Sequence, residues 1–290
     1  MSAELQGRGA ERGGGERAEF LGRGQRRPLV LGHRGASADF PENTLRAFTE
    51  ALRQGADGVE LDVMRCGSGE VVVVHDDDLS RVARGAAGSG LRVRGASLAA
   101  LQAFDLGGGE RVPTLAAVLE ALGPQALVNV ELKSEEPGPG ERRGLGGRLA
   151  TAAGYLRLVR DDGLAAATVE VLRRAGRLSG PRTTLVSSFD PFQLLRFQRA
   201  ASGALPLGFL FEREQVRPLR EAWPAHLLRP QALHPQAALC TPRSVGGWRR
   251  RGYALHTWTV DEPAEIRRLQ ALGIDAVITN RPAAVRALLG

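Results

Sequence analysis

Short apolar segments alternate with longer amphipathic ones along most of the chain. Residues 58–64 and 126–132 alternate β-branched and polar side chains, as strands do, whereas Leu45, Phe48 and Leu52 repeat at the spacing of one helix face. Regular alternation of strands and helices is typical of a parallel sheet covered by helices. The pattern repeats about eight times after residue 28 and therefore predicts one TIM (β/α)8 barrel over residues 29–290.

Two segments interrupt this rhythm. Residues 76–112 are rich in Gly and too long for an ordinary loop, so they predict a small insertion over the C-terminal mouth of the barrel, the end where the strands finish. Residues 135–147 form a second loop rich in Gly, Pro and charge. The predicted strands lie at residues 29–32, 58–64, 71–75, 126–132, 184–188, 206–211, 231–234, 253–260 and 275–279.

The first 28 residues differ from the rest in composition. They are rich in Gly, Arg and Glu, so we expect a disordered leader. They lack the apolar stretch that a signal peptide needs, so we do not expect a secretory signal. No apolar run approaches the roughly 18 residues of a membrane span. The two cysteines are too few for a disulfide framework. We therefore expect a cytoplasmic enzyme without stable membrane insertion.

The basic character of the chain does not indicate a nucleic-acid partner. The net charge is +7, but beyond residue 28 the chain has 33 basic and 28 acidic residues, which are intermixed. Aromatic residues make up only 5% of the sequence, whereas a polyanion binder would interleave exposed aromatics with its basic residues. The composition therefore argues against the alternative of a non-catalytic polyanion binder. Arginine is used almost exclusively, and Lys133 is the only lysine.

Carboxylates lie on one face of two predicted strands. Because side chains alternate along a strand, Glu60 and Asp62 project together, and Glu131 projects together with Asn129 and Lys133. Charged groups inside a barrel are costly unless they are paired or bind a metal. Three carboxylates suit a hard cation, Mg²⁺ or Ca²⁺, better than zinc. The alternative is a strand that carries surface salt bridges.

Two histidines, His33 and His75, end strand-like segments. A histidine can accept a proton from a nucleophile or donate one to a leaving alkoxide, so such a pair suits both halves of phosphodiester cleavage. Arg34 could hold a phosphate with two hydrogen bonds, and Gly35 would let backbone N–H groups approach it. Taken singly, a histidine is more often structural and an arginine is more often a surface residue.

With these residues the sequence resembles the glycerophosphodiester phosphodiesterase family. The resemblance covers roughly residues 29–289 and rests on five motifs in order: HRGASADFPENTLRAF from His33, GVELDVMR from Gly58, VVVVHDDDLSR from Val71, VNVELK from Val128 and HTWTV from His256. It implies a barrel that hydrolyses a small glycerophosphodiester to an alcohol and sn-glycerol 3-phosphate. It also implies that His33 and His75 are the acid–base pair and that Glu60, Asp62 and Glu131 bind the cation.

The same resemblance implies roles for further residues. Arg34 and Lys133 would contact the phosphate, Glu42 would lie near the metal, and Trp258 and Phe189 would line the substrate pocket. We expect the remaining histidines, His226, His234 and His256, to be structural.

The chain departs from the family pattern in two places. The segment 134–163 is longer, and Asp261 replaces a frequent asparagine. A lysophospholipase D-type or phosphoinositide-type phosphodiesterase on the same barrel is the alternative activity, and head-group preference and oligomeric state stay open.

Overall fold

A ring of hydrogen-bonded parallel strands organises the molecule. The computed structural model describes residues 21–83, 90–134, 161–179 and 183–290. Within them, β1 pairs with β2 on one side and with β9 on the other, which closes the sheet and confirms the predicted (β/α)8 barrel. The strands are β1 (Leu29–His33), β2 (Gly58–Arg65), β3 (Val71–Val73), β4 (Leu127–Leu132), β5 (Thr184–Ser188), β6 (Leu207–Phe211), β7 (Ala232–Pro235), β8 (Ala254–Thr257) and β9 (Ala276–Thr279).

Helices connect the strands, and polar side chains begin several of them. Thr44, Thr114, Asp190 and Thr241 each accept a hydrogen bond from a backbone N–H of the first turn that follows. The helices are α1 (Leu45–Arg53), α2 (Leu98–Gln102), α3 (Leu115–Leu122), α4 (Leu164–Arg174), α5 (Pro191–Ala200), α6 (Arg217–Arg220), α7 (Ala225–Leu228), α8 (Pro242–Arg250), α9 (Pro263–Ala271) and α10 (Pro282–Leu289).

The alternation along β2 separates the core from the site. Val59, Leu61 and Val63 are fully buried in the main hydrophobic core of the protein. Glu60 and Asp62 take the opposite face of the same strand and lie beside Asn129 and Glu131 of β4 in register. One strand therefore contributes both to the packing of the barrel and to its polar interior.

The predicted insertion forms a small layer with its own core. The C-terminal end of β2 pairs antiparallel with β3, which covers Val71–Val73 rather than the predicted residues 71–75. A separate cluster of buried side chains joins this hairpin to the segment that follows, and it comprises Met64, Cys66, Val72, Val74, Leu79, Val93, Ala96, Leu101, Leu106 and Val112. Because the insertion follows the end of β2, it lies at the C-terminal mouth.

The last residues of the predicted leader are packed against the barrel. Leu21 is 3% exposed and clusters with Leu185, Ala232 and Ala254 near the start of strands β5, β7 and β8. Arg27 forms two hydrogen bonds to the carboxylate of Asp57. Leu21 and Arg27, which lie within the predicted leader, are therefore held against the end of the barrel where the strands begin.

Parts of three predicted segments lie outside the described residues. These are residues 1–20 of the leader, residues 84–89 of the insertion 76–112 and residues 135–160 of the segment 134–163. Among the helices that are described, none has the length and apolar character needed to cross a bilayer.

Candidate active site

Three carboxylates meet inside the C-terminal mouth of the barrel. Glu60 is 3% exposed, Asp62 1% and Glu131 7%, and each offers an oxygen that lies within 4.8 Å of the others. Burial, together with the charges of Asp62 and Glu131, raises the pKa of Glu60 well above its ordinary value. Carboxylates at this separation repel one another when they are ionised, unless positive charge is placed among them.

Lys133 supplies part of that positive charge from the end of β4. Its Nζ lies 2.9 Å from Glu131 Oε1 and 3.6 Å from Asp62 Oδ1. Burial alone would raise the pKa of Asp62, but Lys133 and then Arg34 outweigh it and hold this pKa well below its ordinary value. Asp62 is therefore an ionised carboxylate in the folded protein.

Arg34 supplies further positive charge. Its position is fixed by contacts of its guanidinium and of its backbone N–H. Its Nε lies 3.2 Å from Asp62 Oδ2, and its Nη1 donates to Glu42 Oε1 at 2.9 Å. Its backbone N–H points at Glu60, 2.9 Å from the carbonyl oxygen and 3.1 Å from Oε2. Arg34 has φ of +55°, an uncommon conformation for a residue other than Gly. The guanidinium is thus held over the carboxylates rather than in solvent.

Asn43 is a site residue that the sequence alone did not single out. Thr44 caps α1, whereas the Asn43 side chain donates to Asp62 Oδ2 at 3.0 Å. Its backbone N–H donates to the Arg34 carbonyl at 3.0 Å, and its φ is +56°. Asparagine tolerates this conformation better than most residues. An asparagine directly before the N-cap residue Thr44 is therefore the signal in the sequence that could have identified it.

Both predicted catalytic histidines lie at this mouth, and each has a partner on Nδ1. His33 Nδ1 lies 2.7 Å from Asn280 Oδ1, and His75 Nδ1 lies 2.7 Å from Asp76 Oδ1. Burial, and then the charge of Arg34, lowers the pKa of His33 to about 4. His33 is therefore a neutral imidazole at neutral pH, and in both histidines Nε2 is the nitrogen that is left for other contacts.

Glu42 joins the two sides of the mouth. Its carboxylate accepts hydrogen bonds from Arg34 and from both terminal nitrogens of Arg81, at 2.6 Å each. Arg81 in turn donates to Asp76, the partner of His75. Glu42 therefore lies next to the acidic cluster through Arg34, and its contacts connect the insertion to the loop after β1.

Two aromatic side chains flank the mouth at the ends of β5 and β8. The rings of Phe189 and Trp258 meet edge to face with centroids 5.2 Å apart, and both are half-buried. Trp258 Nε1 donates to the carbonyl of His234 at 2.8 Å, which fixes the indole. The two residues that the family resemblance placed in the substrate pocket therefore form one aromatic wall.

The other histidines lie elsewhere. His234 and His256 are buried within the barrel with ring centroids 4.8 Å apart, and His256 Nε2 lies 3.0 Å from the carbonyl oxygen of Leu21. His226 is exposed on α7. The structural roles expected for these three histidines stay a prediction.

The carboxylates suit a divalent cation. Glu60, Asp62 and Glu131 form the one group of three potential metal ligands in the described part of the chain. Glu60 Oε1 is buried without a hydrogen-bond partner, which leaves an oxygen that can bind a cation. All three side chains offer oxygen, the donor that Mg²⁺ and Ca²⁺ prefer. The residues therefore fit a hard cation in chemistry and in placement.

Comparisons with known proteins agree with this geometry. The sequence model of the glycerophosphoryl diester phosphodiesterase family matches residues 33–284. A glycerophosphodiester phosphodiesterase of Caldanaerobacter subterraneus is 31% identical over 264 residues, which cover 88% of this chain and 94% of the relative. A glycerophosphodiester phosphodiesterase of Bacillus subtilis is 27% identical over 273 residues, which cover 88% of this chain and 84% of the relative.

Solved structures resemble the whole barrel. A phosphodiesterase of Oleispira antarctica, solved with the product sn-glycerol 3-phosphate, aligns with a TM-score of 0.71 at 27% identity and covers 90% of this chain and 96% of its own. A glycerophosphodiester phosphodiesterase of Thermotoga maritima aligns with a TM-score of 0.66 at 28% identity and covers 90% of this chain and 98% of its own. The similarity therefore extends over both the barrel and its mouth.

Proposed function

Because the chain belongs to the glycerophosphoryl diester phosphodiesterase family, whose members are phosphoric diester hydrolases, we propose that it hydrolyses small glycerophosphodiesters with a bound divalent cation. The products would be an alcohol and sn-glycerol 3-phosphate, the product that the Oleispira structure holds. The observation that carries the proposal is the meeting of three buried carboxylates with two histidines at one mouth.

The cation would be held by Glu60, Asp62 and Glu131, and it would supply Lewis-acid stabilisation of charge on the phosphoryl oxygens. The oxygen ligands favour Mg²⁺ or Ca²⁺. Arg34 and Lys133 lie against the same carboxylates, so both would add positive charge where the phosphate binds. Glu42 would keep Arg34 oriented through its hydrogen bond.

The two histidines would divide the proton transfers. One would take the proton of the nucleophile, which is either water or the 2-hydroxyl of the glycerol moiety acting through a cyclic phosphate. The other would protonate the oxygen of the departing alcohol as its bond to phosphorus breaks. Phe189 and Trp258 would border the glycerol or the head group, since they form the aromatic wall of the mouth.

The experiment that tests this function measures choline and glycerol 3-phosphate release from glycerophosphocholine, with and without EDTA. We expect EDTA to abolish turnover and added Mg²⁺ or Ca²⁺ to restore it. The variant Glu60→Gln should lose activity and metal binding together, whereas Glu120→Gln, an exposed substitution on α3, should retain both.

Each contrary outcome corrects a different part of the proposal. Turnover that EDTA leaves unchanged would refute the metal site. A protein that binds the cation but cleaves lysophospholipids or phosphoinositides instead of glycerophosphocholine would refute the substrate and support the alternative phosphodiesterase.

A further inference from the structure

A chain of hydrogen bonds leads from His33 to a carboxylate outside the acidic cluster. His33 Nδ1 lies 2.7 Å from Asn280 Oδ1, and Asn280 Nδ2 donates to Asp261 Oδ2 at 2.6 Å. Asp261 Oδ1 also accepts from the backbone N–H of Asn280 and from the hydroxyl of Thr279, each at 2.8 Å. Asp261 follows β8 and Asn280 follows β9, so this series of hydrogen bonds runs along the rim of the barrel toward the end of β1.

The chemistry of these groups determines which atom carries each proton. An ionised carboxylate only accepts hydrogen bonds, so Asp261 requires the NH₂ end of the Asn280 amide to face it. The oxygen end of that amide then faces His33 and can only accept. A hydrogen bond from His33 therefore requires the proton to lie on Nδ1, which leaves the Nε2 lone pair free. The hydroxyl of Ser37 donates to the same amide oxygen at 2.8 Å, which agrees with this orientation.

We propose that Asp261 is a positioning residue that acts through Asn280 to hold His33 in the tautomer with its proton on Nδ1 and with Nε2 facing the substrate. The inference rests on the proposed role of His33 in proton transfer. The free Nε2 lone pair suits the base, which takes the proton of the nucleophile, because a neutral histidine with its proton on Nδ1 has none to donate from Nε2. His75 reaches the same state directly, since its Nδ1 partner is the carboxylate of Asp76.

The substitution Asp261→Asn replaces one carboxylate oxygen by an NH₂ group. This change should reverse the direction of the hydrogen bonds between residue 261, Asn280 and His33. In Asp261→Asn the new amide oxygen would stay with the backbone N–H of Asn280, so its NH₂ group would face the NH₂ group of Asn280. Two donors repel, and the Asn280 side chain would turn its oxygen toward residue 261 and its NH₂ toward His33. His33 would then accept at Nδ1 and carry its proton on Nε2.

The second substitution Asn280→Asp should undo this change. In the double variant Asp261→Asn, Asn280→Asp, the carboxylate at position 280 would accept from both the amide at position 261 and His33 Nδ1. The proton of His33 would return to Nδ1 although both residues of the pair have been exchanged. A role limited to folding does not predict such a rescue.

The tautomer is measured by ¹⁵N NMR of protein with labelled histidine, with the His33 signals assigned from a His33→Asn variant. The wild type and the double variant should show a protonated Nδ1 and an unprotonated Nε2, and Asp261→Asn should show the reverse. We expect Asp261→Asn to lower kcat about 10²-fold with little change in KM, the size of a general acid–base contribution, and the double variant to recover most of that loss.

Thr279→Val is the matched control, since it removes another hydrogen bond to Asp261 without reversing the Asn280 amide. It should leave the His33 tautomer and kcat close to wild type. A proton on Nε2 of His33 in the wild type, or an unchanged spectrum in Asp261→Asn, would overturn the inference. If the spectra behave as expected but His33→Ala retains its turnover, the proposed role of His33 fails and the hydrogen-bond chain stands.

Discussion

At the scale of single residues, the charged side chains of the mouth are buried in pairs of opposite sign. Arg34 lies beside Asp62 and Glu42, and Lys133 lies beside Glu131. Removing one member of a buried pair leaves the other without compensation, which costs stability as well as function. Substitutions of these residues would therefore change folding and chemistry together.

The histidines offer a cleaner test, because neither belongs to the acidic cluster. We expect His33→Ala and His75→Ala each to lower kcat about 10²-fold or more, since each removes one proton-transfer group. Steady-state kinetics with glycerophosphocholine would measure the loss, and thermal unfolding would check that the fold persists.

His226→Ala is the control for these variants because His226 is exposed on α7 and should not alter turnover. A loss below tenfold in both His33→Ala and His75→Ala would contradict the assignment of the pair.

At the scale of elements, neighbouring strands fit one another closely inside the barrel. A Cβ atom built on Gly208 of β6 would lie 2.5 Å from Nε2 of His234 on β7. His234 is fully buried, so its ring cannot move aside into solvent. The imidazole therefore requires a glycine on the adjacent strand.

Gly208→Ala should accordingly destabilise the protein by about 1–3 kcal/mol, the usual cost of overpacking a core. The free energy of unfolding in urea would measure this, and the cost should shrink in a His234→Ala background, where the space is free. An equal cost in both backgrounds would show that the clash is not with His234.

Gly247→Ala provides the opposite control. Gly247 lies within α8, and a Cβ there meets nothing within 4 Å. The same substitution should stabilise the helix by about 0.5–1 kcal/mol.

The elements also show how far the sequence analysis could go. The strands and the facing of Glu60, Asp62 and Glu131 follow from side-chain alternation, which is local, and the family resemblance is confirmed. The order of elements gave the barrel, and the Gly-rich character of residues 76–112 gave the insertion. These predictions needed only neighbouring residues.

Asp261 and Asn280 were not predicted as site residues, because no local pattern connects them with His33. They meet it only when β9 pairs with β1 and closes the barrel. In a closed barrel the first and last strands are neighbours. This could have placed Asn280 near His33, since both residues lie at the C-terminal ends of those strands. Leu21 was missed for a different reason, because one apolar side chain in a Gly/Arg-rich segment gives no periodic signal.

At the scale of the whole molecule, three histidines with lowered pKa values connect stability to pH. Burial lowers the pKa of His33 to about 4, that of His234 well below its ordinary value, and that of His256 as well. In the unfolded chain each has its ordinary pKa near 6.5. Below that pH the unfolded state binds more protons than the folded one, so acid favours unfolding.

We therefore expect the free energy of unfolding to fall as pH falls from about 7 toward 5, by up to about 1.4 kcal/mol per pH unit for each such histidine. Urea titrations across this range would measure the slope. Glu60 acts in the opposite sense because its pKa is raised, so the informative quantity is the difference between variants. His234→Ala should reduce the slope and His226→Ala should not, and equal slopes in both would contradict this account.

The single lysine has a consequence for how the protein can be handled. Lys133 is 8% exposed, and Glu131 and Asp62 outweigh burial to hold its pKa above the ordinary value, so its ammonium group is protonated and shielded. Reagents that couple to amines therefore have one side-chain target besides the N-terminal α-amine, and we expect that side chain to stay unreacted in the folded protein. A label located on Lys133 by peptide mapping would count only the molecules whose active site has opened, without any engineered residue.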